Sequence, residues 1–443
     1  MTLTPYRQAL AQPGLRALLL VAVLARIPLT ATGVTLTFFV VLELGRGYGA
    51  AGLVGAASVA GAAIGSPLLG RLVDRRGLRP VVAVTTAVEA VFWASAPTLS
   101  LPLLLPAAFV AGLFALPVFS VIRQSIAALV PASRRRPAYA LDSMSMELSF
   151  MIGPALAVAL ATAVSPRVTL WAVGAGIVGA GIALWLLNPP TRGAEEPAGP
   201  QPRVPRRQWL TSRLLAVFAV SAAATLVLGG TDVAVVAVLR AGGEVGWTGA
   251  VLTAWAVASL IGGFAYGAVR RSFSPLALAA LLSLCTIPVG LGGGHWWLLC
   301  LALLPAGALC APTIAATADA VSRLAPAGVR GEAMGLHGSA TTVGIALGAP
   351  LAGAVIDASV PLWGFAVTGA VGLLVTLAVL PLELRHRRSP AAPAPTMSTP
   401  TPTPTPSTPT PSTSTPTPTA STPAPAPAIS TPSTSTPASA PTA

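Results

Sequence analysis

The stretch GSPLLGRLVDRRGLRPVV, Gly65 to Val82, places five charged residues (Arg71, Asp74, Arg75, Arg76 and Arg79) between two long segments that carry almost none. Apolar runs long enough to cross a bilayer, roughly 20 residues each, flank it and recur from Leu15 to about Leu380. A charged island between such runs is a loop held at the aqueous edge of a membrane. Of the 443 residues, 54% are hydrophobic and 9% charged, against about 25% charged in a soluble domain. No room remains for a sizeable soluble domain.

Breaks at charged, Pro-rich and Gly-rich points predict twelve helices, over 15–42, 49–70, 80–98, 102–122, 139–163, 167–187, 213–239, 247–269, 275–292, 295–318, 331–357 and 361–381. The loops alternate in charge. One set of ends and loops holds Arg7 and Arg16, Arg71 to Arg79, Arg123 and Arg134 to Arg136, Arg192 to Arg213, Arg270 and Arg271, Arg323 and Arg330, and Arg385 to Arg388. The other holds only Arg46, Arg167 and Arg240. Loops rich in Arg stay cytoplasmic, so both termini are expected inside, and an odd helix count would spoil the alternation.

Shifting the sequence by 195 residues lays the second half on the first: Gly112 on Gly307, Pro117 on Pro312, Pro131 on Pro326, Arg135 on Arg330, Gly153 on Gly348, Gly174 on Gly369. Six helices followed by six in the same orientation make a parallel repeat with its axis along the membrane normal. The expected fold is all-α and integral to the membrane, two six-helix bundles over 1–187 and 213–384. The polar, Pro-rich segment 188–212 is read as a cytoplasmic linker. Residues 385–443, which run into Pro/Thr/Ser/Ala repeats such as TPTPTPSTPTPSTSTPTPT, are read as a disordered cytoplasmic tail, because that composition cannot bury a core.

The net charge of +13 does not point to nucleic acid. All 26 basic residues are Arg, most of them in short loops, with no basic face interleaved with aromatics. Cys285, Cys300 and Cys310 lack metal-ligand or CxxC spacing and read as small apolar fillers. No metal, cofactor or catalytic residue is expected: there is no nucleophile elbow, no phosphate-cradling loop before a Lys, and no His pair at metal spacing. The first apolar run, without a small-residue cleavage pattern after it, reads as a membrane helix rather than a signal peptide.

GRLVDRRGLRP, Gly70 to Pro80, resembles the loop between the second and third helices of the major facilitator superfamily, whose pattern is roughly G-x-L-a-D-r-x-G-r-k. Gly70, Leu72, Asp74, Arg75, Gly77 and Arg79 match, and Leu78 replaces a usual basic residue. Gly70 and Gly77 permit close approach and a tight turn, and Asp74 suits a helix N-terminus or an Arg partner. The resemblance implies that this loop latches two bundles together on the cytoplasmic side. The second-half counterpart, GAVRRSFSP, lacks the acid. In the fifth helix, SFMIGPALAV is similar to the family's antiporter motif, with Gly153 and Pro154 in place and Ser149, Ala157 and Val158 where Gly is usual. Packing alone accounts for this motif equally well. The family's mid-helix Arg of helix four, associated with proton coupling, is missing.

Ionisable residues inside a span cost a few kcal/mol and face a cavity or a partner. Arg26, mid-way along helix one and followed by Thr30, leads the substrate or coupling candidates; the alternative is a structural ion pair. Asp232 in helix seven would face Arg26 across the cavity or sit hydrated near the outer end. Glu147 is a candidate titrating carboxylate, or with Asp142 a partner for Arg123 or Arg135, and Glu89 on helix three reads as structural. The expected activity is secondary transport of a small organic molecule by alternating access. Efflux is favoured, with proton antiport as an addition, and a monomer is expected. Metabolite uptake and a non-transporting sensor or scaffold are the alternatives. Absence of Lys alongside abundant Ala, Gly, Pro and Arg points to a GC-rich bacterial genome and hence the cell membrane.

Overall fold

The computed structural model describes residues 3–193, 205–269 and 273–388, with side chains to residue 383. The elements are α1 (Thr4–Leu10), α2 (Leu15–Phe38), α3 (Tyr48–Arg76), α4 (Leu78–Ser95), α5 (Leu101–Leu113), α6 (Val118–Leu129), α7 (Arg135–Ala163), α8 (Pro166–Leu187), α9 (Arg206–Trp209), α10 (Ser212–Ala241), α11 (Thr248–Ala268), α12 (Pro275–Thr286), α13 (Trp296–Leu324), α14 (Arg330–Ala358) and α15 (Trp363–Arg388). No strand occurs among the described residues. Among the described residues twelve spans are long and apolar enough to cross a membrane, α5 and α6 together forming the fourth. Of the proposed linker, 194–204 lie outside the described residues, as do 389–443 of the proposed tail; α15 continues through Arg388.

An even number of spans puts the start of α2 and the end of α15 on one face, called here the termini face. Helix pairing repeats between the halves. α2 packs on α7 as α10 packs on α14, α3 on α5 as α11 on α13, and α4 on α8 as α12 on α15. The halves meet through α3 against α14 and α7 against α11. Without water to drive association, such pairs depend on close backbone approach and interhelical hydrogen bonds. Several Thr hydroxyls in the spans bond within their own helices, as with Thr35 to Ala31 O and Thr225 to Ser221 O, so they cost little in hydrocarbon, whereas the buried Thr86 Oγ1 has no partner among the described residues.

Three boundary differences from the sequence reading bear on the site, each with a physical reason. The second helix runs six residues past 70, because Gly77, at φ +82°, sends its amide back to Val73 O and ends it there. This is the C-terminal glycine stop, and it leaves Asp74, Arg75 and Arg76 on the last turn. The fourth helix breaks at 114–117, where Pro117 lacks an amide and disfavours helix in the residue before it. Beyond the break α6 continues to Leu129, placing Arg123 well inside the helix rather than at its end.

α1 lies on the termini face. Tyr6 stacks on Phe264 with centroids 4.9 Å apart and donates to the Phe264 carbonyl of α11. Burial pushes its phenol up to about 12, so it remains a donor.

The α2–α7 contact turns on Gly153, where a Cβ would run into Thr30 Oγ1 and the carbonyl of Ile27. Gly153→Val should therefore force the two helices apart and cost about 1–3 kcal/mol, read as a lower thermal midpoint of the detergent-purified protein. Gly179→Val, at a position with open space around it, should leave the midpoint unchanged. Equal midpoints for the two variants would show that this contact is slack.

Candidate functional site

Both halves line a cavity of about 910 Å³, reached by residues from Leu29 and Glu89 in the first half to Asp232 and Ile345 in the second. Its walls are largely apolar and aromatic, with Phe92, Trp93, Phe119, Phe150 and Trp255 among them. It extends to Gly249 at the start of α11, near the face opposite the termini, while Arg123 and Met334 stand at its inner end. On the termini side the halves are closed on each other. Ser66 donates to Gly335 O and Ser339 to Ala63 O, and Cβ atoms on Gly263 and Gly267 would meet Met144 and Tyr6.

Among the described residues, four charged ones line this cavity: Glu89, Arg123, Glu147 and Asp232. Glu89 is buried and accepts from Trp93 Nε1 at 2.7 Å. Glu147 accepts from the buried Cys310 Sγ at 2.9 Å, so this cysteine is more than the apolar filler the sequence suggested. Asp232 is exposed to the cavity and has no hydrogen-bond or ion-pair partner among the described residues. An ionisable group within a membrane span is costly unless it pairs or faces a water-filled cavity, and Asp232 faces the cavity.

Arg26 does not line the cavity, and the facing of Arg26 and Asp232 that the sequence suggested is not found. Arg26 is fully enclosed (0% exposed), with Nη2 2.6 Å from Asp142 Oδ1 and Nη1 donating to Ser145 Oγ and Asp142 O. Close α2–α7 packing turns it toward α7, and the structural ion pair is the arrangement present. Thr30 serves the same seam: its hydroxyl donates to Ser149 O at 2.8 Å and to Ile27 O. Of the helix-five pair, Gly153 belongs to that seam and Pro154 reaches the cavity.

Asp142 also accepts from Arg123 Nε at 3.3 Å, and Arg123 Nη1 lies 3.2 Å from His337 Nδ1, whose Nε2 meets Thr317 Oγ1. A buried chain Arg26–Asp142–Arg123–His337–Thr317 thus crosses from one half to the other beneath the cavity. Sequence reading treated Arg123 as a loop charge. The signal it passed over was the absence of Gly or Pro between Arg123 and Pro131, which lets the helix carry on.

At the termini face Asp74 accepts from Gly331 N at 2.9 Å, Glu332 N at 2.8 Å and Gln124 Nε2 at 3.0 Å. Its partners are the first amides of α14, where a negative group complements the helix dipole, rather than an arginine side chain. Gly70 allows this approach, since a Cβ there would strike the Gly331 carbonyl. Arg192 donates to the Asp74 carbonyl, and Glu332 is held by Arg206 at 2.6 Å and Arg71 at 3.7 Å. Arg75 is exposed, Gly77 ends α3, and Arg79 lies over the Trp185 ring at 5.1 Å. Among the described residues no His, Cys, Asp and Glu group is arranged to hold a metal ion.

Twelve spans in a repeated pairing around a mid-membrane cavity define a multi-pass membrane protein of the transporter class. The chain belongs to the Major Facilitator Superfamily, whose family model matches residues 18–292 and 233–431; its members are transporters rather than enzymes. No curated protein matches the chain. Among solved structures it is similar to the human organic anion transporter MFSD10 (TETRAN), at TM-score 0.67 and 18% identity over 83% of this chain and 100% of that one. It is similar to a bacterial homologue of the iron transporter ferroportin in an outward-facing state, at TM-score 0.67 and 17% identity over 84% and 100%. It also resembles the proton:xylose symporter XylE, at TM-score 0.61 and 13% identity over 83% and 95%. At these identities the likeness is one of fold.

Proposed function

We propose that this protein is a secondary transporter of a bacterial cell membrane that exports a small organic solute by rocking two six-helix halves about the central cavity, with proton antiport as its drive. The observation that carries this reading is the set of acids in the cavity, three carboxyl groups against the single arginine Arg123. That balance favours a solute bearing a positive charge, and it gives protons a place to compete with the solute. Both termini are cytoplasmic in this reading, because the Arg-rich loops share their face. The closed contacts at Asp74 then seal the cytoplasmic side, and the cavity is the outward-open state of the cycle. Export is the direction the helix-five motif supports, and with Arg26 enclosed, uptake of an anion held by that residue loses its support.

The test uses proteoliposomes and tetraphenylphosphonium as the probe cation, driven by an imposed pH gradient. Asp232→Asn should reduce gradient-driven movement at least tenfold, since it removes a charge–charge attraction of about 2–3 kcal/mol at the roughly 6 Å approach the phenyl groups allow, taking an effective dielectric of about 20. Glu147→Gln should remove the dependence on the gradient while leaving exchange of the probe. Equal gradient-driven rates in parent and Asp232→Asn would remove Asp232 from the site, and a rate in the parent no faster than in empty liposomes would count against an organic-cation exporter.

A further inference from the structure

Beside the cavity, a second pocket of about 520 Å³ lies between α4 and α5, lined by Val88, Val91, Pro106, Ala107 and Val110. Its origin is in the packing. α4 is drawn onto α8, where Cβ atoms on Gly174 and Gly181 would strike Trp93 and Thr86, and α5 onto α3, where Cβ atoms on Gly61, Gly65 and Gly112 would strike backbone. No glycine brings α4 and α5 together in the same way, so a cleft stays between them. Val91 is 70% exposed and Val110 45%, on spans within the bilayer, so the cleft opens to lipid. Its one hydroxyl, Ser95 Oγ, is satisfied by the Val91 and Phe92 carbonyls. A water needs two to four polar partners, which this lining does not offer, whereas a hydrocarbon chain needs none.

Phe92 and Ala111 line both this pocket and the central cavity. The partition between bilayer and cavity is therefore one side chain thick, with a small residue opposite a single ring. On the cavity side, one turn before Phe92, stands Glu89. One of its oxygens accepts from Trp93, and the other, Oε1, has no hydrogen-bond partner among the described residues.

We propose that Glu89 and the α4–α5 pocket form one binding site for an amphiphile with a protonated amine head and a linear hydrocarbon tail. The head pairs with Glu89, and the tail passes between Phe92 and Ala111 into the lateral pocket, so the ligand enters from the bilayer rather than from water. The site deepens the transporter reading and rests on it for where the amine goes next.

The test is photolabelling of the full chain in phosphatidylcholine proteoliposomes, with dodecylamine carrying a diazirine near the tail end and the matching dodecanol as the uncharged control. Mass spectrometry of the digest should find the amine on segments 88–95 and 106–111, roughly tenfold above the alcohol. Glu89→Gln should bring the amine down to the level of the alcohol, and Ala107→Trp, which fills the pocket, should abolish labelling by both. Should Glu89→Gln fail to fold, competition in the parent decides instead: unlabelled dodecylamine should displace the probe where dodecanol does not. Equal labelling by amine and alcohol, or labelling that Ala107→Trp leaves unchanged, would overturn the site. Selective labelling without movement of the amine across the bilayer would uphold the site and count against transport. Movement without selective labelling would overturn the site alone.

Discussion

Asp74→Ala should open the termini face. In the closed arrangement this carboxylate is the acceptor for three buried donors, the amides of Gly331 and Glu332 and the Gln124 side chain, at 2.8–3.0 Å. Hydrogen bonds to charged groups contribute about 1.5–3 kcal/mol each and are not additive, and donors left buried without an acceptor add to the cost. A net loss of about 3–4 kcal/mol from the closed state, with no matching loss where α3 and α14 have parted, shifts that equilibrium on the order of a hundredfold or more. Spin labels at the exposed positions Arg76 and Arg213, at the termini-face ends of α3 and α10, would read it as a longer distance distribution. Asp74→Asn keeps one acceptor oxygen and should fall between parent and alanine. An alanine variant with the parent's distribution would mean that α3 and α14 are held by packing alone, and that the carboxylate only assists folding.

The fold was legible because hydropathy and loop charge are read over long stretches. Each span needs about twenty apolar residues whatever its neighbours do, so twelve could be counted without contacts, and the 195-residue shift predicted which helices pair alike. The site was legible only in part, because it depends on rotation about a helix axis. Arg26 and Asp232 both sit mid-span in polar-poor sequence, yet one turns into the α2–α7 seam and the other into the cavity. Nothing local to Arg26 discloses that Gly153 and Thr30 hold α2 against α7 in that orientation. Arg123 was misplaced for a different reason. A charge near the end of a hydrophobic run reads as the end of the helix, whereas here it is buried beside Asp142, the anion it shares with Arg26. The Asp74 turn was readable because both of its needs, a left-handed glycine at Gly77 and a glycine at Gly70 for close approach, are written as residue types.

The second large effect follows from Asp142, which stands between two arginines that water barely reaches, with Arg26 0% and Arg123 4% exposed. Asp142→Ala leaves both guanidinium groups uncompensated in a low-dielectric interior, where breaking a buried pair costs about 3–5 kcal/mol. The variant should lose most of its stability in chemical unfolding of the detergent-solubilised protein, and its folded yield should fall with it. Arg26→Met alone should cost less, because Asp142 keeps Arg123, and the thioether side chain fills most of the space. Combining the two should recover part of the Asp142→Ala loss, since one orphaned charge is gone. A double variant no more stable than Asp142→Ala would show that the cost lies in Arg123 and its link to His337, not in Arg26. The same series separates structure from recognition. If Arg26 is structural, a cation that stabilises the parent against heat by binding its folded state should stabilise Arg26→Met by the same increment, from a lower baseline. Loss of that increment in Arg26→Met would return the residue to the binding site, by way of Asp142 and the cavity arginine it positions.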